Sequence, residues 1–411
     1  MQMDTLDKLG ATAFEGHLVR KDLVRKYSRQ YSVSTDVVEC MLVRYGASVG
    51  QEEIDVGLRM VESQLADRTA CIGDEEFLKD RIRKNGSAKL IDIGRARQQF
   101  TTAQWKQLLL RSIGFEPASL SERAQMVALL RMVPFVERNY NMVELGPKGT
   151  GKRHLYQQDS PYSCLISGGK TTVAKMFVNN ASGQPGFVCQ YDVVCCGEIS
   201  GFSLDQKDGV NILKDYMESG EFSRSRKSIH AEGSIVMVGD REIDLQQQQK
   251  MGHILHPLPL EMIKDTVFMD RIHACLPGGD FPKLNPNEHF TDHFGLAGDF
   301  LSECWHQLRN TSRVPVFQGR VNFGSQLSSR DLSAVYKTLS GLIKLLYPDS
   351  DMPIPDEELE NLVRSALECR QRVKEQQKKC LKTEFSNTHF SYTSGKAGIE
   401  KFVETAKEHS A

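Results

Sequence analysis

The run from Val143 to Tyr156 limits this chain more than any other stretch. It reads Val-Glu-Leu-Gly-Pro-Lys-Gly-Thr-Gly-Lys-Arg-His-Leu-Tyr: an apolar strand, a glycine loop and a helix start. The spacing is G-x-x-x-x-G-K, with Gly146, Gly151 and Lys152 at the fixed positions. Gly146, Gly149 and Gly151, with small Thr150 between them, leave backbone N–H groups free to face an anion, and Lys152 reaches toward terminal phosphates. Such a loop needs a parallel strand behind it and a helix in front, so the fold class is α/β. One position departs. Ser or Thr normally follows the lysine and its hydroxyl holds Mg²⁺; here Arg153 stands there. The pattern predicts a site for ATP or ADP and argues against a well-held Mg²⁺.

With 411 residues the chain has room for two or three globular domains. A net charge of −1 confines any nucleic-acid surface to a local patch. No apolar run is long enough to span a bilayer. The start of the chain is polar, with Asp4 and Asp7, unlike a signal peptide, so a cytoplasmic location and no membrane partner are expected. Ten cysteines without a C-x-x-C pair read as reduced thiols, several of them in apolar runs such as Cys189, Cys195 and Cys196. His and Cys lack ligand spacing, so no metal site is predicted.

Residues 4–68 read as helical, with Ser48 and Gln51 as a capping box ahead of Ile54, Leu58, Val61 and Leu65. Before them His17, Arg20, Lys21, Arg25, Lys26 and Arg29 form a basic run beside Tyr27 and Tyr31, a candidate phosphate-contacting face. Lys89–Ile93 reads as a short strand. Trp105, Leu108, Leu109 and Ile113 suit a helix that Gly114 ends. Ser119 and Glu122 cap the next helix, which Pro134 interrupts or kinks just before the phosphate loop. Ser163–Ser167 reads as a strand. Gly168-Gly169-Lys170-Thr171-Thr172 mimics a second phosphate loop but lacks the first glycine, and helix-capping threonines explain it better.

Gly186–Glu198 is an apolar run ending in an acid, where P-loop ATPases place a buried strand closing in Asp-Glu. Glu198 is present to polarise water, but the Asp position is Gly197. Asp208–Glu218 reads as a helix. Ser219–His230 is a basic, turn-rich hairpin whose Arg224, Arg226 and Lys227 suit a nucleic-acid backbone. It leads into Ser234–Asp240, a buried strand that brings Asp240 to the place where ring ATPases sense the γ-phosphate. Arg271, after Asp270, sits where such enzymes present an arginine to a neighbouring subunit. Leu332, Val335, Leu339, Leu342 and Leu346 make one closing helix; Pro355 and Asp356 start another with a basic far end. Residues 381–411 are polar with little periodicity, and no internal repeat is present.

Arg20-Lys21-Asp22-Leu23, the phosphate loop with His154-Leu155-Tyr156, Ser167–Ala174, Lys214-Asp215-Tyr216-Met217, Phe222-Ser223-Arg224 and Asp270–Ala274 occur in one order. So do Arg372–Gln376 and Phe390-Ser391-Tyr392. This set resembles the BrxL family, Lon-related proteins of BREX phage-defence systems. The resemblance implies an AAA+ core, hexameric rings or stacked rings enclosing double-stranded DNA, a role in restricting phage, and other defence proteins as partners. It also implies a Ser where Arg153 stands, an Asp at Gly197 and an Asn at Asp240. The chain stops about where the family's Lon-protease-like domain would begin, so no Ser-Lys peptidase is expected. The stretch between Lys89 and Thr101 looks shorter than the family's β-rich insert.

The expected architecture is an α/β AAA+ P-loop core with a parallel sheet over 101–325, a mainly helical N-terminal region over 1–100 and a C-terminal helical region over 326–411. The expected activity is DNA binding by a ring with weak or absent ATP hydrolysis. Catalytic positions are Glu198, Arg271 and Asp240, and the DNA contacts are Arg224, Arg226, Lys227, Arg20 and Lys21. An active ATP-driven translocase, or a regulatory subunit capping a full-length ring, are the alternatives.

Overall fold

Strands buried on both faces read as continuous apolar runs, and four such runs build the centre of this protein. The computed structural model describes residues 3–33, 35–46, 50, 92–158, 160–166, 170–179, 182–199, 203–204, 209–224, 227–240, 255, 258–380, 388–394 and 398–406. In chain order the strands are β1 (Leu18–Arg20), β2 (Met142–Gly146), β3 (Ser163–Ile166), β4 (Lys170–Thr171), β5 (Val193–Cys196), β6 (Ser203–Leu204) and β7 (Glu221–Arg224). There follow β8 (Lys227–His230), β9 (Ser234–Asp240), β10 (Ala274–Pro277), β11 (Phe294–Leu296), β12 (Val321–Phe323), β13 (Ser391–Ser394) and β14 (Glu400–Phe402). The main sheet has the order β10-β2-β9-β5-β3 and every pairing in it is parallel. β2, β5 and β10 are buried along their whole length, and β9 is buried up to Asp240. The α/β expectation holds.

The register aligns the ends that matter. Gly146 sits opposite Asp240, and Cys196 opposite Met237. The carboxyl ends of β2, β9 and β5 therefore lie along one edge, where open parallel sheets form their ligand crevices.

Helices cover the sheet. Thr101 opens Thr102–Ser112 with a capping box, and Gly114 at φ +90° turns the chain after it. The next helix runs Glu122–Val136 and its cap is Ser121, not Ser119: the Ser121 side chain accepts from Ala124 N–H, while the Ser119 hydroxyl donates to the Glu116 carbonyl. Pro134 lies inside this helix, which ends two residues later. Ser329–Leu346 and Asp356–Cys380 close the chain on each other. Gly341 permits one close crossing, since a Cβ there would lie 2.5 Å from Val133 Cγ1.

Three further expectations change. Gly186–Glu198 is not one strand: Phe187–Gln190 forms a helical turn and only Val193–Cys196 enters the sheet. An apolar run of that length does not tell a strand from a buried helical turn. Ile93 lies in a helical segment, residues 92–97, rather than in a strand. The polar tail is not all irregular, because β13 pairs with β12 and β14 in an antiparallel sheet. The capping box proposed at Ser48 and the stripe through Leu65 lie outside the described residues.

The described part of the N-terminal region is mainly helical. Thr5–Ala13, Lys21–Tyr31 and Thr35–Tyr45 are helices, and β1 between the first two pairs antiparallel with β11. Asp7 accepts from Phe294 N–H, and its other oxygen lies 2.9 Å from His293 Nδ1. Arg111 lies 2.9 Å from Asp4 and 3.5 Å from Asp7. Asp4, Asp7 and His293 come close enough to hold a metal, but the Arg111 guanidinium already serves both carboxylates as their cation. Arg97, fully buried, donates to the Leu346 and Phe100 carbonyls and ties this region to the C-terminal helix. No disulfide joins Cys164, Cys189, Cys195, Cys196, Cys275, Cys304 or Cys369; Cys195 and Cys196 are buried and Cys189 is exposed. No described helix is long and apolar enough to cross a membrane.

Candidate nucleotide site

The glycine loop follows β2 and precedes the helix His154–Gln158. Gly149 and Gly151 adopt φ of +83° and +71°, conformations that side chains disfavour. Gly146 is required for a different reason: a Cβ there would lie 2.5 Å from the Gly278 carbonyl. The loop is held from beneath. Arg131, 1% exposed, donates to the Thr150 carbonyl at 3.1 Å and grips Glu144 with two hydrogen bonds of 2.9 and 2.5 Å. Its guanidinium also lies 4.0 Å from the Phe281 ring centroid. Leu284 N–H donates to the Gly149 carbonyl from the other side.

Lys152 is buried and folds back under the loop. Its ammonium donates to the carbonyls of Gly146 and Pro147 at 3.1 and 2.5 Å. Its anionic partner is Asp240, 3.1 Å away at the end of β9. Burial pushes this ammonium below its usual range, against the opposing pull of Glu144 and Asp240.

Arg153 extends along the crevice. Nη1 lies 2.9 Å from Glu198 Oε1, and Nη2 lies 3.8 Å from Asp240 Oδ2. Glu198 reaches it from a left-handed backbone, φ +60°, two residues after β5. The structure thus brings Gly146, Gly149, Thr150, Gly151, Lys152, Arg153, Glu198 and Asp240 into one place. Magnesium, which loops of this kind ordinarily hold, does not fit the donor set. It needs oxygen ligands, yet a guanidinium stands at the hydroxyl position, Gly197 has no side chain, and the two carboxylates present, Glu198 and Asp240, are paired with Arg153 and Lys152.

Arg271 lies elsewhere. It follows the helix Thr266–Asp270 and precedes β10, which puts it at the amino ends of the strands, opposite its own phosphate loop. Its side chain is 9% exposed and hydrogen-bonded to Glu218. Neighbouring Arg330, 52% exposed, also reaches Glu218 and Asp270. The basic hairpin is confirmed as β7–β8, with Arg224 opposite Lys227 at its tip. Phe222 anchors its base against Phe177, ring centroids 5.0 Å apart. Arg226 is outside the described residues. The N-terminal basic run is less free than its composition implies. Arg20 pairs with Asp22, and Arg25 pairs with Asp292 and lies over Phe290. Lys21 is taken off the surface altogether, 6% exposed and 2.6 Å from Glu39. The Gly-Gly-Lys-Thr-Thr decoy resolves as expected where it is described: Thr172 caps Val173–Met176.

Sequence reading missed the cavity beside the loop. It encloses about 290 Å³ between Gly114, Phe115, Phe290, His154 and Leu155 on the core side and Val24 on the N-terminal helix. Its walls come from segments more than a hundred residues apart, which no local pattern joins.

A family model described as the ATPase domain of Lon-like protease BrxL-like proteins matches residues 84–391, three quarters of the chain. The chain belongs to the BrxL family. A second model, the BrxL N-terminal domain of BREX-system Lon protease-like proteins, matches residues 12–125. A Lon-like protease BrxL from Escherichia coli O9:H4 (strain HS) is 36% identical over 482 aligned residues, covering 98% of this chain and 69% of that protein. One from Bacillus cereus (strain H3081.97) is 33% identical over 475, covering 96% and 70%. The ATPase-domain match of this BrxL-family chain spans the phosphate loop, Glu198, the hairpin and Asp240. An ATPase-type domain is therefore present, and its departures at Arg153, Gly197 and Asp240 fall in one cluster of contacts.

Proposed function

We propose that this BrxL-family protein acts in BREX-type phage defence as a nucleotide-binding ring on duplex DNA, with weak or absent ATP hydrolysis. The observation that carries this reading is the Arg153 guanidinium between Glu198 and Asp240. Glu198, the residue that would polarise an attacking water, is engaged as the partner of a cation. Loss of the hydroxyl and carboxylate that steady Mg²⁺ removes several kcal/mol of stabilisation from phosphoryl transfer. The cavity beside Gly151 supports nucleotide binding, because it offers an apolar, aromatic-walled space for a base next to the phosphate loop. Purified protein with ATP, Mg²⁺ and duplex DNA is expected to turn over far below about 1 s⁻¹. A DNA-stimulated rate near that value, abolished by Glu198→Gln, overturns the reading in favour of an active translocase. The presence of Lys152 and Glu198 on one strand edge is what favours that second reading.

DNA contact is assigned to the β7–β8 hairpin, whose tip carries Arg224 and Lys227 on two paired strands immediately before β9. Duplex binding is expected to weaken steeply between about 50 and 200 mM salt and to fall with Arg224→Ala, with a shallower salt slope. Fluorescence anisotropy at several salt concentrations reads both, and an unchanged slope in the variant removes the hairpin from the interface. Arg271, at the far end of the sheet from its own phosphate loop, is suited to reach a neighbouring subunit once Glu218 releases it. Mass photometry with and without DNA tests assembly into rings.

A further inference from the structure

The phosphate loop carries its own counter-ions, and their arrangement specifies which nucleotide it takes. Arg153 and Gly197 fit each other: a Cβ on Gly197 would lie 3.7 Å from Arg153 Cδ and 3.1 Å from Leu165 Cδ1. The 3.7 Å is ordinary van der Waals distance from the arginine stem, so Gly197 simply leaves this side of the crevice without a carboxylate and with Arg153 as its cation. On the other side Lys152, whose ordinary role is to hold outer phosphates, already has an anion. Asp240 Oδ1 lies 3.1 Å from its ammonium and competes with an outer phosphate for it. Asp240 is held there by the sheet register opposite Gly146, not by a flexible loop.

Resting on the nucleotide reading above, we propose that this site binds a nucleoside diphosphate in preference to a triphosphate, and does so without a divalent metal. Arg153 is the resident cation in place of the metal, and Asp240 the resident anion in place of the third phosphate. Two cations, Lys152 and Arg153, face two carboxylates, Glu198 and Asp240. A diphosphate displaces Glu198, which is half exposed and reaches in from a turn. A triphosphate must in addition bring its terminal charge against Asp240, with no metal between them. Like charges at such separations in a partly buried site repel strongly.

Isothermal titration calorimetry of the full chain with ADP and with a non-hydrolysable ATP analogue, in EDTA and in Mg²⁺, tests this. ADP affinity is expected to be equal within about twofold in both buffers, and the triphosphate to bind at least about tenfold more weakly in EDTA. Asp240→Asn is expected to strengthen the triphosphate by about tenfold or more and ADP by a clearly smaller factor. Arg153→Ser is expected to make ADP binding depend on Mg²⁺; thermal melting shows whether that variant is folded, and Asp240→Asn tests the other half independently. ADP binding by the unaltered chain that needs Mg²⁺, or equal affinity for the two nucleotides, overturns the proposal and leaves the nucleotide reading standing. No binding of either nucleotide in either buffer overturns both.

Discussion

Arg131→Leu is expected to lower the stability of this protein by about 3–5 kcal/mol, as breaking a buried ion pair does. Glu144, fully buried in β2, would lose its cation and both hydrogen bonds. The Thr150 carbonyl would lose its donor as well. Urea unfolding of the variant measures the loss. The double change Arg131→Leu with Glu144→Leu is expected to recover much of it, since exchanging a buried pair for apolar groups is often close to neutral. Nucleotide binding is expected to stay impaired in the double variant, because the loop above would still lack its support at Thr150. A double variant as unstable as the single one would show that the pair itself, rather than the stranded carboxylate, carries the energy.

Arg370→Leu is expected to have an effect of similar size at the other end of the sheet, about 3–5 kcal/mol. Arg370 is fully buried, 2.8 Å from Asp331 and 2.9 Å from Asp270, and it also donates to the Ile272 carbonyl. Lys374 and Arg330 complete the group around Asp270. Burial alone would raise the Asp270 carboxyl, but Arg370 and Lys374 outweigh it and hold the pKa at about 2, against an ordinary 3.8. A carboxyl depressed on folding contributes stability that is complete above the unfolded value and is lost as pH falls through the folded one. The protein is therefore expected to lose about 2 kcal/mol from this group between roughly pH 4 and pH 2. In Arg370→Leu that slope is expected to shrink. Thermal melts of both proteins across that range check it, and parallel curves would assign the acid sensitivity to other carboxylates.

The parts of this molecule written locally were legible in its sequence. The glycine loop, its flanking strand, the hairpin and the two closing helices each depend on neighbours a few residues apart. So did the grouping of Lys152, Arg153, Glu198 and Asp240, because a parallel sheet brings strand ends to one edge whatever fills its core. Arg131 was silent. As an arginine in an otherwise apolar helix it resembles a solvated residue, and only Glu144 on the adjoining strand makes it a core cation. Lys21 misled in the opposite sense. Its basic neighbours suggested a surface, yet Glu39, eighteen residues on, draws it inside. Arg370 was silent like Arg131, because a basic helix end does not show which cation Asp270 and Asp331, from two other elements, draw into the core. The helical turn at Phe187–Gln190 was hidden by composition, since helix and strand bury the same residues there.

The pairing of Leu18–Arg20 with Phe294–Leu296 has a practical consequence for anyone dividing this protein. A fragment beginning at Thr101 would leave the Phe294 edge bare, His293 and Arg111 without Asp4 and Asp7, and the cavity by Gly151 without its outer wall. Open strand edges invite aggregation. The helices and strand between Thr5 and Tyr45 are thus a fitted side of the ATPase-type body, and studies of either portion call for the intact polypeptide.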